Sequence, residues 1–469
     1  MSAELVGLSI LILGVALIVG KILRMTVPVF SKYFLPSSII GGLLVLVVGP
    51  EVLGVLSTHL PEGYQMEYGL FNEDMLRVFS SLPVILINLI FAALFLGKKI
   101  PGFKKIWNIA GPQVSFGQTV AWGQYVLGLL LALLILSPLF NSNPMVGALI
   151  EIAFEGGHGT SAGLADTFSE LGFEEGVDLA LGLATVGVIS GVIFGVALIN
   201  WAVRKGKTNY LKNPEEFNEN QLRGIVEVEE REESGWLTTS PQSIEPLAFH
   251  LSVAGLAILL GWGILELLIY IESISWGAND GFLIFAYLPL FPLAMVGGII
   301  VQLLLDRFDT FKLIDRNTIN RIQGLALDFL IVAALGSLSL QVIGTHLEVF
   351  LILAIAGICW NIFAFLIIAP RMIPKNWVER GIGDFGQSMG MTAAGLMLIR
   401  IVDTKGDARA MEAFGYKQLL FEPFVGGGLM TAASVPLIYQ FGPVPVLIFS
   451  AITMVAWCLV GFLHFGRKK

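Results

Sequence analysis

Apolar runs of about 20 residues, the length needed to cross roughly 30 Å of hydrocarbon, recur down the 469-residue chain. They run from the N-terminus to about residue 24, then near residues 36–57, 77–97, 112–138, 177–203, 246–270, 281–305, 321–343, 347–370, 418–440 and 443–465. The pattern predicts an all-α polytopic membrane protein with about eleven transmembrane helices. The first run has no basic residue before it and is followed by Lys21 and Arg24, the reverse of a cleavable signal peptide, so it reads as a retained span.

Two stretches break the pattern. Residues 151–168 (EIAFEGGHGTSAGLADTF) and 381–400 (GIGDFGQSMGMTAAGLMLIR) lie among the spans but are too polar and too rich in glycine for ordinary lipid-facing helices. Irregular backbone at membrane depth must be buried in protein or line a cavity, because lipid cannot satisfy its polar groups. Both stretches read as re-entrant hairpins, near residues 147–168 and 381–400. In the first, a half-helix is expected to about Glu155, a tip at Gly156-Gly157-His158-Gly159, and a second half-helix opening at Thr160-Ser161. Free N–H groups and a positive dipole end at such an opening suit a carboxylate.

The two halves of the chain carry matching motifs in the same order. PSSIIGG at residues 36–42 recurs as PLAMVGG at 292–298, IFAAL at 90–94 as IVAAL at 331–335, and TSAGL at 160–164 as TAAGL at 392–396. Five crossings separate corresponding elements, so the halves are expected to be inverted. Inverted repeats with interrupted helices at matching positions are a secondary-transporter architecture with the site near the midplane. The expected organisation is a first five-helix repeat at 1–203, a polar cytoplasmic linker at 204–245, an inverted second repeat at 246–440, and an additional helix with a basic tail at 441–469.

Charge supports this topology. Of 28 Lys and Arg residues, 27 fall in loops that the spans place on one side, Arg77 being the exception. The positive-inside rule makes that side cytoplasmic, with the N-terminus outside and the C-terminus inside, as for a plasma-membrane protein. Hydrophobic residues make up 55% and charged residues 14%. The mean hydropathy is +0.79. A net charge of −8 points to no nucleic-acid partner. Cys359 and Cys458 stand far apart in apolar segments and imply no disulfide. The linker reads as solvated.

The chemistry-bearing residues concentrate in the hairpins. Ionised acids near the bilayer centre cost about 2.5–3.5 kcal/mol on insertion scales, so they should be paired, protonated or wet. A sodium ion would want a carboxylate together with carbonyls freed by a helix break. Glu155 and Asp384 are candidates, each also readable as a solvated or capping carboxylate; Asp328 and Asn88, nearly aligned between the halves, are further cation candidates that also read as interhelical hydrogen-bond partners. His158, Thr160, Ser161, Gln387, Ser388 and Thr392 are candidate substrate contacts. Glu422 is another acid within a span. Gly187, Gly191 and Gly195 form a small-residue row for helix packing, compatible with a homodimer. Matches to G-x-S-x-G at 159–163, G-x-G-x-x-G at 381–386 and the DFG within it lack the strand-to-helix context that those motifs need. A serine hydrolase built on Ser161 remains a remote alternative.

At GGHGTSAG, residues 156–163, the chain resembles the bacterial sodium/glutamate symporter family. The span at 183–195, LATVGVISGVIFG, is similar to the family too, and the likeness extends over most of the chain. The second motif is looser: Phe385, Gly386, Thr392 and Ala393 match, while Ile382 and Asp384 depart. The resemblance implies substrate contacts at Gly156, Gly157, His158, Gly159 and Thr160, with Phe385, Gly386 and Thr392 from the other half. It implies glutamate as substrate and Na+ as coupling ion, with no organic cofactor and no enzyme activity. A carrier of another carboxylate, coupled to sodium or protons, is the alternative. One charge moving through 100 mV is worth about 2.3 kcal/mol, so uptake of an anion into an inside-negative cell calls for at least two sodium ions.

Overall fold

The computed structural model describes residues 3–466, except 33–34, 62–64, 100–101, 209–219, 221–222, 232, 278–282, 284, 391 and 404–406. Among the described residues the regular structure is helical, and ten helices are long and apolar enough to span a membrane. They are α1 (Ala3–Thr26), α2 (Ser37–Ser57), α3 (Glu73–Ala93), α4 (Ile106–Phe140), α7 (Gly176–Arg204), α8 (Pro246–Ile274), α9 (Leu290–Phe308), α10 (Arg316–Gly336), α11 (Leu347–Met372) and α16 (Pro443–Phe465). Shorter helices complete the frame: α5 (Leu149–Phe154), α6 (Gly157–Gly163), α12 (Trp377–Gly390), α13 (Thr392–Val402), α14 (Ala410–Phe421) and α15 (Leu429–Phe441).

Local chemistry sets the boundaries. Asn72 caps α3 by accepting from Met75 N–H at 2.8 Å, and Glu245 caps α8 by accepting from Ala248 N–H at 2.9 Å, just ahead of Pro246. The span expected near 321–343 starts earlier, at Arg316, because Asp315 accepts from Thr318 N–H and caps it. The span expected near 281–305 starts only after Pro289. The largest departure is at 418–440, expected as one continuous span. It is broken between Phe421 and Leu429, where Pro423 lacks an N–H and Gly426 and Gly427 take φ of +70° and +99°.

The chain divides into two compact units, each drawn from both halves of the sequence. The first comprises residues 1–100, 162–164 and 218–341; the second comprises 101–161, 165–217 and 342–469.

In the first unit, α1 packs on α2 and α8 on α9, while α2 lies against α10, α9 against α3, and α3 against α10. The recurring Gly-Gly pairs occupy matching contacts. A methyl group on Gly41 would stand 2.7 Å from the Ala16 carbonyl oxygen, and one on Gly297 would stand 2.0 Å from that of Ala257. One on Gly42 would meet Leu335 at 2.7 Å, and one on Gly298 the Ala92 carbonyl at 2.3 Å. The buried cluster of Leu13, Ala16, Val45 and Ala333 corresponds, at the offsets of the sequence motifs, to the cluster of Ala254, Ala257, Val301 and Ala92. Part of the linker touches this unit at its surface: Lys21 Nζ donates to the carbonyls of Arg223 at 3.0 Å and Gly224 at 2.7 Å, and Arg321 donates to that of Ser234.

In the second unit, α12 and α13 pack antiparallel through glycine; a methyl on Gly386 would lie 2.8 Å from the Gly395 Cα. The residue between these helices, Met391, lies outside the described set. The glycine row of α7 seats this pair. Methyl groups on Gly187, Gly191 and Gly195 would fall 2.2 Å from the Met389 carbonyl oxygen, 2.8 Å from Met389 Cβ and 2.5 Å from Leu398 Cδ1. The additional helix α16 packs along α4.

Candidate functional site

The second unit brings together polar side chains from two helix interruptions and from the packed pair α12 and α13. The first is at Glu155-Gly156. Helix α5 ends at Phe154, and Gly157, at φ +71°, begins α6. The second half-helix thus opens three residues before the expected Thr160, so His158 and Gly159 belong to its first turn and the tip is shorter. The other lies between α14 and α15.

Glu155 is 3% exposed. One of its oxygens, Oε1, accepts from the Ser388 hydroxyl of α12, while Oε2 is buried with no hydrogen-bond partner. Ser388 is itself held, its carbonyl accepting from Gln124 Nε2 and Asn361 Nδ2, both at 2.9 Å. The His158 ring pairs through Nε2 with Thr185 Oγ1 at 2.9 Å and leaves Nδ1 unpartnered, as is Thr160 Oγ1. An unpaired buried acceptor costs about 1–3 kcal/mol. Three such atoms on residues 155–160 therefore mark a place built to receive something.

Ser161 donates to the carbonyl of Gly157 at 2.9 Å, one turn back on its own helix. With His158 committed to Thr185, these two residues form no nucleophile–base pair. The G-x-G-x-x-G and DFG matches fall inside α12 as ordinary helix.

On α12, Asp384, Gln387 and Ser388 share one face. Asp384 Oδ1 stands 2.9 Å from Lys417 Nζ, both side chains being fully buried. The contact is an ion pair outside hydrogen-bond geometry, and Asp384 Oδ2 has no hydrogen-bond partner. Gln387 Oε1 accepts from Lys417 Nζ at 2.9 Å and Gln418 Nε2 at 3.0 Å. Lys417, counted from sequence among the cytoplasmic cations, is thus an interior residue. Thr392 donates to Glu422 Oε1 at 3.1 Å. Phe385 packs against Phe365, with ring centroids 5.7 Å apart, and Gly386 serves the close approach of α13.

Glu151, not singled out from sequence, is fully buried. It accepts from Tyr125 OH, from Thr431 Oγ1 at 2.9 Å and from Gly426 N–H at 2.9 Å. The one local signal for it is that it stands a helical turn before Glu155 and so shares that residue's face. Asn88 and Asp328 belong to the first unit. Asn88 donates to the Val84 carbonyl at 3.0 Å on its own helix; Asp328 is exposed on α10. Among the described residues no three His, Cys, Asp or Glu side chains group as a metal cluster, so an ion here would rely on few carboxylates, hydroxyls and carbonyls.

The family model described as Sodium/glutamate symporter matches residues 6–405. The chain belongs to the sodium/glutamate symporter family. A relative from Haemophilus influenzae named Sodium/glutamate symporter is 23% identical over 423 residues, which cover 88% of this chain and 91% of that one. The relative of the same name from Escherichia coli is 23% identical over 420 residues, covering 87% and 90%. The chain is therefore a multi-pass membrane protein of a carrier family.

Proposed function

We propose that the protein carries out the symport of its family, moving sodium and glutamate together into the cell across the plasma membrane, with the N-terminus outside. The carrying observation is Glu155: a buried carboxylate at a helix break, with one oxygen anchored by Ser388 and the other unpaired. A monovalent cation supplies what that oxygen lacks, with breaks in the helices offering carbonyls beside it.

His158 Nδ1 and the Thr160 hydroxyl are proposed as substrate-carboxylate contacts, with Gly157 and Gly159 leaving the backbone there without side chains, while Gly156 lets that backbone close on Ile152 and Thr160. Gln387, Thr392 and Ser388 complete the second wall, with Ser388 holding Glu155. Phe385 and Gly386 act through packing. Asn88 and Asp328 are proposed as a separate polar step on the first unit. Both hairpins are read as re-entrant from opposite sides in inverted repeats, and the second unit as the part that moves in alternating access.

Uptake of labelled glutamate into proteoliposomes tests this reading. Accumulation should require an inward sodium gradient, fail with potassium alone and rise with an inside-negative potential. Glu155→Gln should lose sodium-driven accumulation while the protein still inserts. Sodium-independent uptake by the wild type would sink the reading. Competition by a dicarboxylate or hydroxy acid in place of glutamate would move the substrate to another carboxylate.

A further inference from the structure

We infer that Lys417 is a tethered cation, occupying at Asp384 the position that a coupling sodium would otherwise take. This rests on the sodium-coupled reading above and specifies which of the three buried hairpin carboxylates, Glu151, Glu155 and Asp384, is open to the ion.

The seat around Nζ is built for a cation. Asp384 Oδ1 and Gln387 Oε1 both stand at 2.9 Å. The face of Phe421 closes another side, with Nζ 3.9 Å from the ring centroid. A ring face attracts a cation through its quadrupole, more so when desolvated. On α4, Gly117 makes the room: a methyl group there would stand 2.8 Å from Nζ and 2.6 Å from Cε.

The neighbouring carboxylate is arranged differently. Glu155 receives a hydroxyl from Ser388, four residues after Asp384, but its second oxygen is left without a hydrogen-bond partner. Glu151 needs no cation, since three donors satisfy it. With Lys417 committed to Asp384, Glu155 is the carboxylate left for an exchangeable ion. An ammonium on a covalent stem cannot leave with the substrate, so the charge at Asp384 stays compensated in every state of the cycle and adds nothing to the ion count.

The test is sodium-dependent thermal stabilisation of the full-length protein in detergent, with choline or potassium as control, for wild type, Lys417→Gln and the double variant Asp384→Asn/Lys417→Gln. A ligand that binds only the folded state stabilises it in proportion to the logarithm of its concentration over Kd. In Lys417→Gln the vacated carboxylate should acquire a sodium site: the stabilisation by sodium should exceed that of wild type, and the Hill coefficient for sodium in transport should rise by about one. In the double variant both charges are gone, and the sodium half-saturation should stay within about twofold of wild type. A purely structural ion pair would leave Lys417→Gln equally destabilised in sodium and choline, which overturns the inference. Loss of the wild-type sodium response in the double variant overturns it too, and that arm stands even if the single variant does not fold. A wild type that ignores sodium defeats the coupling reading itself and this inference with it.

Discussion

The backbone N–H of Gly426 donates to Oε1 of Glu151 at 2.9 Å, so one carboxylate joins the first interrupted helix to the break between α14 and α15. Thr431 reaches the same oxygen at 2.9 Å, and Tyr125 donates to the other. Removing the acceptor leaves three buried donors at once. Glu151→Ala should lower stability by several kcal/mol, each orphaned group costing about 1–3 kcal/mol. Glu151→Gln, which keeps one carbonyl oxygen for Gly426 and Thr431, should cost clearly less. Melting curves in detergent would show this order, and equal melting of Glu151→Ala and wild type would mean that the junction carries no stability.

Gly187 faces a backbone oxygen that has nowhere to retreat. A methyl group there would stand 2.2 Å from the Met389 carbonyl, whereas one on Gly415 meets nothing within 4 Å. Gly187→Ala should therefore destabilise by at least the 1–3 kcal/mol typical of overpacking. Gly415→Ala should be neutral or slightly stabilising, since Ala is the better helix former. Yield of monodisperse protein and melting temperature measure both, and a harmless Gly187→Ala would contradict the close approach of α7 to α12.

His158 is oriented by Thr185, its Nε2 lying 2.9 Å from the hydroxyl. Thr185→Val keeps the shape and removes the partner, so the ring loses its fixed orientation. If Nδ1 meets the substrate carboxylate, half-saturation for substrate should rise about tenfold, the equivalent of about 1.4 kcal/mol. The maximal rate and the sodium dependence should change little. Uptake titrations separate these quantities; a changed sodium requirement with unchanged substrate affinity would place His158 with the ion instead.

How far such residues could be read from the chain alone varies with the range of the interaction. The spans were legible because crossing a bilayer needs an unbroken apolar window, and 36–57, 177–203 and 443–465 fall within a residue or two of their helices. The Gly-Gly pairs were legible too, since close helix approach leaves only hydrogen as a side chain. The break at 421–429 was hidden because Phe421, Phe424, Val425 and Leu429 keep the window apolar, although Pro423 and the run Gly426-Gly427-Gly428 were its signal. Lys417 was misplaced because lysines are seldom buried inside a protein. Its partners Asp384 and Gln387 lie about 30 residues away, beyond any local periodicity. Tyr125 and Glu151 share that difficulty.

Asp315 gives a prediction with a definite pH sign. Burial alone would raise its carboxyl pKa, but the bonds from Thr318 and from the Trp236 backbone outweigh it and hold the value below the ordinary range. A depressed folded-state pKa means that the stabilisation is present above the unfolded value near 3.9 and is lost as pH falls through the folded one. Asp315→Ala should cost about 1 kcal/mol at neutral pH, as for a lost helix cap. The gap to wild type should close on acidification below the unfolded value. A gap that persists unchanged there would assign the effect to packing rather than charge.

Neither compact unit is a continuous piece of chain, and this has a consequence for biogenesis. While the polypeptide is being made, α1, α2 and α3 reach the membrane without α8, α9 and α10, the helices against which they close. The first unit cannot be complete until residue 341 has emerged, and the second waits for segments of 342–469. The Gly41 face of α2 closes on α1 at once, but its Gly42 face, which meets Leu335, must stay unclaimed until α10 has been made.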